Sequence, residues 1–383
     1  MHRVFWGRTT LLATLFCFIN LRVVPLVADP APRVTEKFMI ESTMSVDLMR
    51  PPIASSDYGF LVCWERKDSE TTTVLALRFD RKGNALDSAP LIIGENIGRF
   101  QVSSDGRDFL IAWFDSSRVS NRIVRRDGTV TEPTATVQLD QPYRFEEESA
   151  LVFGGGSYVF LAFVQQDVLV PHATMRVYEI AMWRFGNDGK VLDPSGTILG
   201  WDSQRPYRLR AAGSRRGAFA VWQRTHGLSG MCIDQNDGIS IGTLSANAWS
   251  DGTPVVASND HEYFVVWRDP QRLSLLGARI AFDGKIISTD NVLVEEETDW
   301  PALCRSEHGW LLSWMTRSYS TNTTILATEL RRDGTQRTAP FVLEETARPF
   351  VLNAAAVRGK GKLVITGRET DSENLTLVAH IIK

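Results

Sequence analysis

The chain has 383 residues, is 43% hydrophobic and 23% charged, and carries a formal net charge of −3 at pH 7. This composition excludes disordered, collagen-like and disulfide-scaffold chains. The near-neutral charge argues against nucleic acid as a partner, since that needs a basic face.

Residues 1–28 read as a targeting segment. Arg3 and Arg8 supply a positive start, residues 11–21 (LLATLFCFINL) an apolar core, and Leu26-Val27-Ala28 a small-residue cut site after Ala28. The apolar core is shorter than the ~20 residues a membrane-spanning helix needs. No later stretch is a transmembrane candidate. The expected product is a secreted or periplasmic monomer whose single domain fills residues 29–383. Cys63, Cys232 and Cys304 then remain, one in each of three different repeats, and are expected as buried thiols.

Next in chain order comes a strand-like segment, residues 37–44, within a closing strand expected at about 35–46. From residue 49 onward a repeat runs to the end. Its first copy is PPIASSDYGFLVCW, ending at Trp64, and its second is FQVSSDGRDFLIAW, ending at Trp113. Further copies end at Phe163, Trp222, Trp267 and Trp314, and a degenerate seventh, AAAVRGKGKLVITG, ends at Gly367. Each copy reads as two short strands around a tight turn, and the second strand is a continuous apolar run, as expected of a strand buried on both faces. A third strand ends in Asp-Gly at Asp127-Gly128, Asp188-Gly189, Asp237-Gly238, Asp283-Gly284 and Asp333-Gly334. Asp-Gly is a strong hairpin signal and is expected to form type I′ turns. A fourth strand follows, except in the last copy.

Four antiparallel strands per ~50 residues is the pattern of a β-propeller. The expected fold is therefore all-β: a seven-bladed propeller with four antiparallel strands per blade. The N-terminal strand completes the last blade, so no edge is left exposed. A six-bladed ring with an irregular extra unit and an open β-solenoid are the alternatives.

The Tyr/Phe-Leu-Val-x-Trp strand followed by an Arg-x-x-x-Asp-Gly turn resembles the repeat of exported bacterial β-propeller proteins. The resemblance spans roughly residues 35–383. It implies an architecture and a binding or scaffolding role, and it brings no catalytic residues with it.

No signature of catalysis, metal or cofactor is present: there is no H-E-x-x-H, no G-x-S-x-G and no phosphate loop. The acidic runs Glu146-Glu147-Glu148, Glu295-Glu296-Glu297 and Glu344-Glu345 recur between blades and read as a solvated rim. Candidate binding residues follow from the fold. Arg50, Arg99, Arg208, Trp300 and Arg348 fall at or near the starts of first strands, where they would line the mouth of a central funnel. Such arginines suit an anion bound bidentately. Glu65, Asp115, Arg224, Arg268 and Asp269 sit where second strands exit, and Trp201 and Trp249 in blade-to-blade loops; these form a possible rim. Variable loops on a rigid scaffold are where binding resides. The leading expectation is a non-catalytic module for a protein or carbohydrate partner. The alternatives are a carbohydrate-active hydrolase or lyase working in the funnel, and a purely structural envelope protein.

Overall fold

The computed structural model describes residues 34–42 and 52–382. It leaves out the connecting residues 68–69, 116–117, 140–142, 171–172, 203–204, 226, 235–237, 246–252, 260, 270, 296–297, 317–322, 347–348, 357–360 and 370–374. Every regular element described is a strand. The first, β1 (Val34–Ser42), stands apart in sequence. Blade one then takes β2 (Ile53–Ser55), β3 (Gly59–Lys67), β4 (Thr72–Asp80) and β5 (Leu91–Glu95). Blade two has β6 (Phe100–Ser104), β7 (Phe109–Phe114), β8 (Arg118–Val124) and β9 (Thr134–Gln138). Blade three has β10 (Arg144–Gly154), β11 (Ser157–Val170), β12 (Ala173–Phe185) and β13 (Thr197–Asp202). Blade four has β14 (Tyr207–Ser214), β15 (Gly217–Arg224), β16 (Gly227–Ile233) and β17 (Gly238–Ser245). Blade five has β18 (Val255–Ser258), β19 (Glu262–Asp269), β20 (Ser274–Ala281) and β21 (Ile286–Val294). Blade six has β22 (Thr298–Arg305), β23 (Gly309–Thr316), β24 (Thr323–Arg331) and β25 (Phe341–Thr346). The chain ends with β26 (Pro349–Ala356), β27 (Lys362–Glu369) and β28 (Leu375–Ile382).

One correction applies to the repeat count. Six blades, not seven, are continuous four-strand units of sequence. The remaining four-stranded sheet is composite, with the order β1-β28-β27-β26. Its β1 runs antiparallel to β28 from Val34↔Ile382 to Ser42↔Leu375. The first strands β2, β6, β10, β14, β18, β22 and β26 neighbour one another in that order, and β26 returns to β2, so the sheets stand radially around an axis.

The apolar second strands explain the cohesion. In β3, Phe60, Val62 and Trp64 pack on Leu363, Ile365 and Ile381 of the composite sheet. The intervening Leu61 and Cys63 pack on Phe100, Val102 and Phe109 of blade two. Alternate side chains of one strand thus fill two seams, which is why these runs carry no polar alternation. Polar groups also bridge seams. Arg78 pairs with Asp87 inside blade one and donates to the Arg126 carbonyl of blade two at 2.5 Å.

Two of the repeats slip against the sequence alignment. Tyr158 in β11 hydrogen-bonds to blade two through the Asp105 N–H and the Asp108 carbonyl, much as Tyr263 in β19 bonds Ser214 of blade four. Phe153↔Tyr158 also matches Gly213↔Ala218 in the next blade. The residue at the Trp267 rung of blade three is therefore the buried Ala162, not Phe163. The space is filled from the neighbouring strands by Phe114, Phe145 and Trp183, whose rings lie 5.4 Å apart in sequence along the cluster. In the composite sheet the first turn is one residue longer, since Ala356↔Lys362 replaces the Ser55↔Phe60 spacing. That places Thr366, not Gly367, at the tryptophan rung.

The Asp-Gly hairpins also differ from expectation. Gly128, Gly189, Gly284 and Gly334 have φ between 78° and 94°, while Asp127, Asp188, Asp283 and Asp333 are not in the positive-φ region. In each case the glycine N–H closes a tight turn, as in Gly128 N–H to the Arg125 carbonyl at 2.9 Å, and the Arg125 N–H bonds to Thr129 beyond it. This is a type I turn with a left-handed glycine forming a bulge, rather than type I′. The aspartate accepts a hydrogen bond from the backbone two residues on, as Asp127 does from Thr129 at 2.9 Å.

Candidate functional site: the mouth of the central channel

A channel of about 1200 Å³ runs along the axis, walled by β2, β6, β10, β14, β18 and β22 among the described residues. Arg99, Glu148, Arg208, Thr253 and Trp300 all line it. With blade three shifted by one residue, these five occupy one repeat position on five consecutive blades, just before the first strand enters the wall. Of the mouth residues expected from sequence, Arg99, Arg208 and Trp300 line this channel. Arg50 and Arg348 lie outside the described residues.

Local backbone geometry marks two of these positions. Arg208 has φ 55° and Trp300 has φ 51°; Asn96 and Leu273 are the other non-glycine residues in this region among those described. Both mouth residues fall in register shifts, between Tyr207 and Arg210 and between Asp299 and Ala302. A non-glycine residue in the left-handed region costs on the order of 1 kcal/mol, and such residues gather where a site requires them.

The polar groups of the mouth make specific contacts. Arg208 Nη1 donates to Thr253 Oγ1 across the seam of blades four and five. Arg210, one turn of strand deeper, has Nη1 3.5 Å from Glu148 Oε2 and donates to the Leu209 carbonyl at 2.7 Å. Enclosure within the wall lowers the Arg210 pKa, with Glu148 opposing that shift and Arg208 adding to it. Arg268 is 4% exposed and lines the channel, and its Nε has no hydrogen-bond partner among the described residues. Gln223 holds the equivalent place in blade four, one residue past the tryptophan, and neither its Nε2 nor its Oε1 has a partner among the described residues.

Several expectations need correction. Arg268 and Asp269 are buried rather than on an open rim. The Asp269 carboxylate accepts the Gln271 N–H at 2.9 Å, which holds it to its own loop. Glu146 and Glu148 belong to β10 and pair with Arg205 at 2.7 Å and Arg210 at 3.5 Å; they are not a solvated run. Glu344 is also no rim residue, for it is 3% exposed on β25. Glu295 is exposed. Trp201 stands on β13, not in a loop; its side chain and all of Trp249 lie outside the described residues. Glu65 and Arg224 are half-buried, and the exposed Asp115 accepts the Arg118 N–H at 2.9 Å.

Sequence reasoning missed Glu148 and Thr253 as mouth residues and the burial of Arg268. Aligning Tyr158 with Tyr263 would have found the first. Among the described residues no group of three His, Cys, Asp or Glu side chains is arranged to hold a metal ion, and no helix is long and apolar enough to cross a membrane.

No family model and no curated protein matches the chain. Solved structures do. A protein of unknown function from Dyadobacter fermentans aligns with a TM-score of 0.50 and 10% identity over 93% of this chain and all of its own. The WD40 domain of Toxoplasma gondii coronin aligns with a TM-score of 0.49 and 11% identity, covering 93% of this chain and 89% of that one. The periplasmic gluconolactonase of Pseudomonas aeruginosa gives 0.48 and 14%, with 78% and 85% covered. At 10% identity the likeness to the Dyadobacter protein is to the fold alone. The fold, from the radial sheets of this chain, is an all-β propeller.

Proposed function

We propose that this chain is an exported binding module that takes a protein or glycan partner at the mouth of its channel. The observation that carries the reading is the pair of left-handed residues, Arg208 and Trp300, held at one repeat position and turned toward the same channel. Trp300 packs one side on the core of the blade six seam and Arg208 donates to Thr253, yet both also line the channel. Strain at two equivalent points of the wall, in residues with a charged and an aromatic side chain, suits a ligand. Binding is favoured over hydrolysis by the state of the wall carboxylates. Glycoside cleavage needs two of them ~5–10 Å apart with freedom to act on one bond. Of the four described carboxylates that line the channel, Glu148 leans on Arg210, Asp105 is held by the Arg107 and Asp108 N–H groups at 2.8 Å and Asp299 by the Trp300 N–H at 2.9 Å, while Asp57 is exposed on the turn after β2. Export rests on the pattern of residues 1–28 and predicts a mature N-terminus at Asp29.

The test is a glycan array together with thermal melts of the purified protein against neutral and acidic oligosaccharides. A ligand that binds only the folded state raises Tm in step with log concentration. The expected result is such a rise with at least one ligand, abolished in Arg99→Ala/Arg208→Ala. If no ligand binds or shifts Tm, the module is structural and the reading fails.

A further inference from the structure

Resting on that reading, we infer that the seam of blades four and five anchors the carboxylate of an acidic sugar, with Arg208 and Arg268 as its cationic partners and Trp300 beside it. The starting point is a charge imbalance. Arg268 is 4% exposed, and no described carboxylate lies within ion-pair distance of it. A guanidinium withdrawn from water without an anion is costly, so such a group calls for a counter-charge. The nearby carboxylates are already committed. Asp269 accepts the Gln271 N–H and pairs with Arg272 at 3.8 Å, and Glu148 serves Arg210.

A second arginine converges on the same place. The Val255↔Val266 pairing, carried two residues toward the mouth, sets Thr253 beside Arg268. Thr253 Oγ1 is the atom to which Arg208 donates. Arg208, Thr253 and Arg268 therefore form one group on the channel wall, with two cations and one hydroxyl; of the described carboxylates lining the channel, Asp299 beside Trp300 is held by the Trp300 N–H. The planar guanidinium fork matches a carboxylate, which it binds through two parallel hydrogen bonds.

The neighbours indicate what carries that carboxylate. Trp300 is at the next mouth position after Thr253 and presents a half-buried indole to the same channel. Gln223, paired with Tyr207 beside Arg208, is 1% exposed and is not among the residues that line the channel, so its amide stays within the wall. A carboxylate site with the Thr253 hydroxyl between its arginines and an aromatic at the next mouth position fits a uronic-acid residue. An acidic peptide would use the arginines and leave the indole idle.

The experiment compares trigalacturonic acid with its fully methyl-esterified form by titration calorimetry on the purified protein. Acidic N-acetyl-glutamyl peptide, acetate and inorganic phosphate serve as further probes. The expected result is at least tenfold tighter binding of the acid than of the ester. Arg268→Lys, which keeps the charge and removes the fork, should erase that difference. Arg208→Gln, at a half-buried position, does the same should the buried variant fold poorly. Equal binding of acid and ester overturns the carboxylate site and leaves the mouth-binding reading standing. Arg268-dependent binding of the peptide but not the sugar overturns the sugar assignment, and phosphate binding as tightly as the trisaccharide overturns it too. Silence from every probe, with neutral glycans bound on the array, overturns the inference alone; silence on the array as well removes both.

Discussion

Thr366 Oγ1 donates a 2.7 Å hydrogen bond to Glu344 Oε2, at the rung where blades one, two, four, five and six carry Trp64, Trp113, Trp222, Trp267 and Trp314. His380 Nε2 completes the group, 3.0 Å from the Thr366 hydroxyl and 3.3 Å from the carboxylate. All three side chains are buried. The seam between blade six and the composite sheet thus replaces an aromatic plug by a polar one. Thr366→Val keeps the shape and leaves a buried carboxylate short of a donor, which costs ~1–3 kcal/mol. Urea unfolding is expected to show that loss, and Thr366→Ser is expected to recover most of it. An unchanged midpoint in Thr366→Val would show the hydroxyl to be idle.

Charge is inverted at another equivalent position of the same blade. Arg78 and Arg184 each pair with an aspartate nine residues on, Asp87 at 2.5 Å and Asp193 at 2.6 Å. Blade six carries Glu329 there, 2.6 Å from Arg337 and 2.6 Å from Lys362 of the composite sheet. Glu329 and Lys362 are 4% and 11% exposed, so the pair is largely out of water. Removing the acid strands the lysine, and breaking such a pair costs ~3–5 kcal/mol. Glu329→Ala is expected to lower Tm far more than Arg337→Ala, whose side chain is partly solvated. Equal effects would mean that the seam does not depend on the buried charge.

These two seams show why the sequence revealed the ring better than its details. The apolar second strands, the turn residues and the ~50-residue period all report on backbone and burial, which local sequence encodes. A one-residue slip is a different matter, because it moves every side chain of a strand to the other face without changing the apolar count. In β11 every residue from Tyr158 to Val164 is buried, so the run itself cannot say whether Ala162 or Phe163 takes the tryptophan's place. The cost fell on the site, for the same slip hid Glu148 from the mouth. Arg268 was misplaced for a related reason. An arginine after an apolar run reads as a solvated exit, and only the neighbouring blade determines that it is enclosed.

The thiols allow a chemical check on both fold and processing. Cys63, Cys232 and Cys304 are free and buried. Burial raises the pKa of all three, pushing Cys232 and Cys304 up to about 12. They stay protonated from pH 7 to 9, and a buried thiol is a poor nucleophile. Ellman's reagent is expected to find no reactive thiol in the native protein over that range. In denaturant it should find three per chain if residues 1–28 have been removed, and four if Cys17 is retained. Rapid reaction of the native protein would contradict the packing of the seams.

The turn aspartates set the acid limit of stability. Hydrogen bonds lower the pKa below 3.8 for Asp127 through the Thr129 N–H, for Asp188 through Lys190 and for Asp333 through Thr335. A folded-state pKa below the unfolded one contributes stability that is complete above the unfolded value and fades as pH falls through the folded value. Tm is therefore expected to be insensitive to these groups above about pH 5 and to drop below about pH 4. Asp127→Asn/Asp188→Asn/Asp333→Asn should flatten the acid limb by lowering the neutral plateau toward the acid value, because the ionised carboxylates no longer contribute there. An acid limb identical in the triple variant would assign acid unfolding to other carboxylates.

Closure of the ring depends on β1. It covers β28 along the whole register from Leu375 to Ile382, a strand whose Leu377, Ala379 and Ile381 are fully buried in the seam with blade one. Without β1, the N–H and C=O groups along that edge have no partner and invite another chain to pair with them. Deleting residues 1–42 leaves blades one to six with every strand in place, so the fold itself need not be lost. The expected outcome is a chain that retains β-sheet circular dichroism, melts at lower temperature and self-associates in light scattering. A synthetic peptide of residues 34–42 added in excess should reverse that added self-association by occupying the vacant edge. A truncated chain that associates no more than the intact protein and melts as it does would show that β1 is an ornament rather than the clasp.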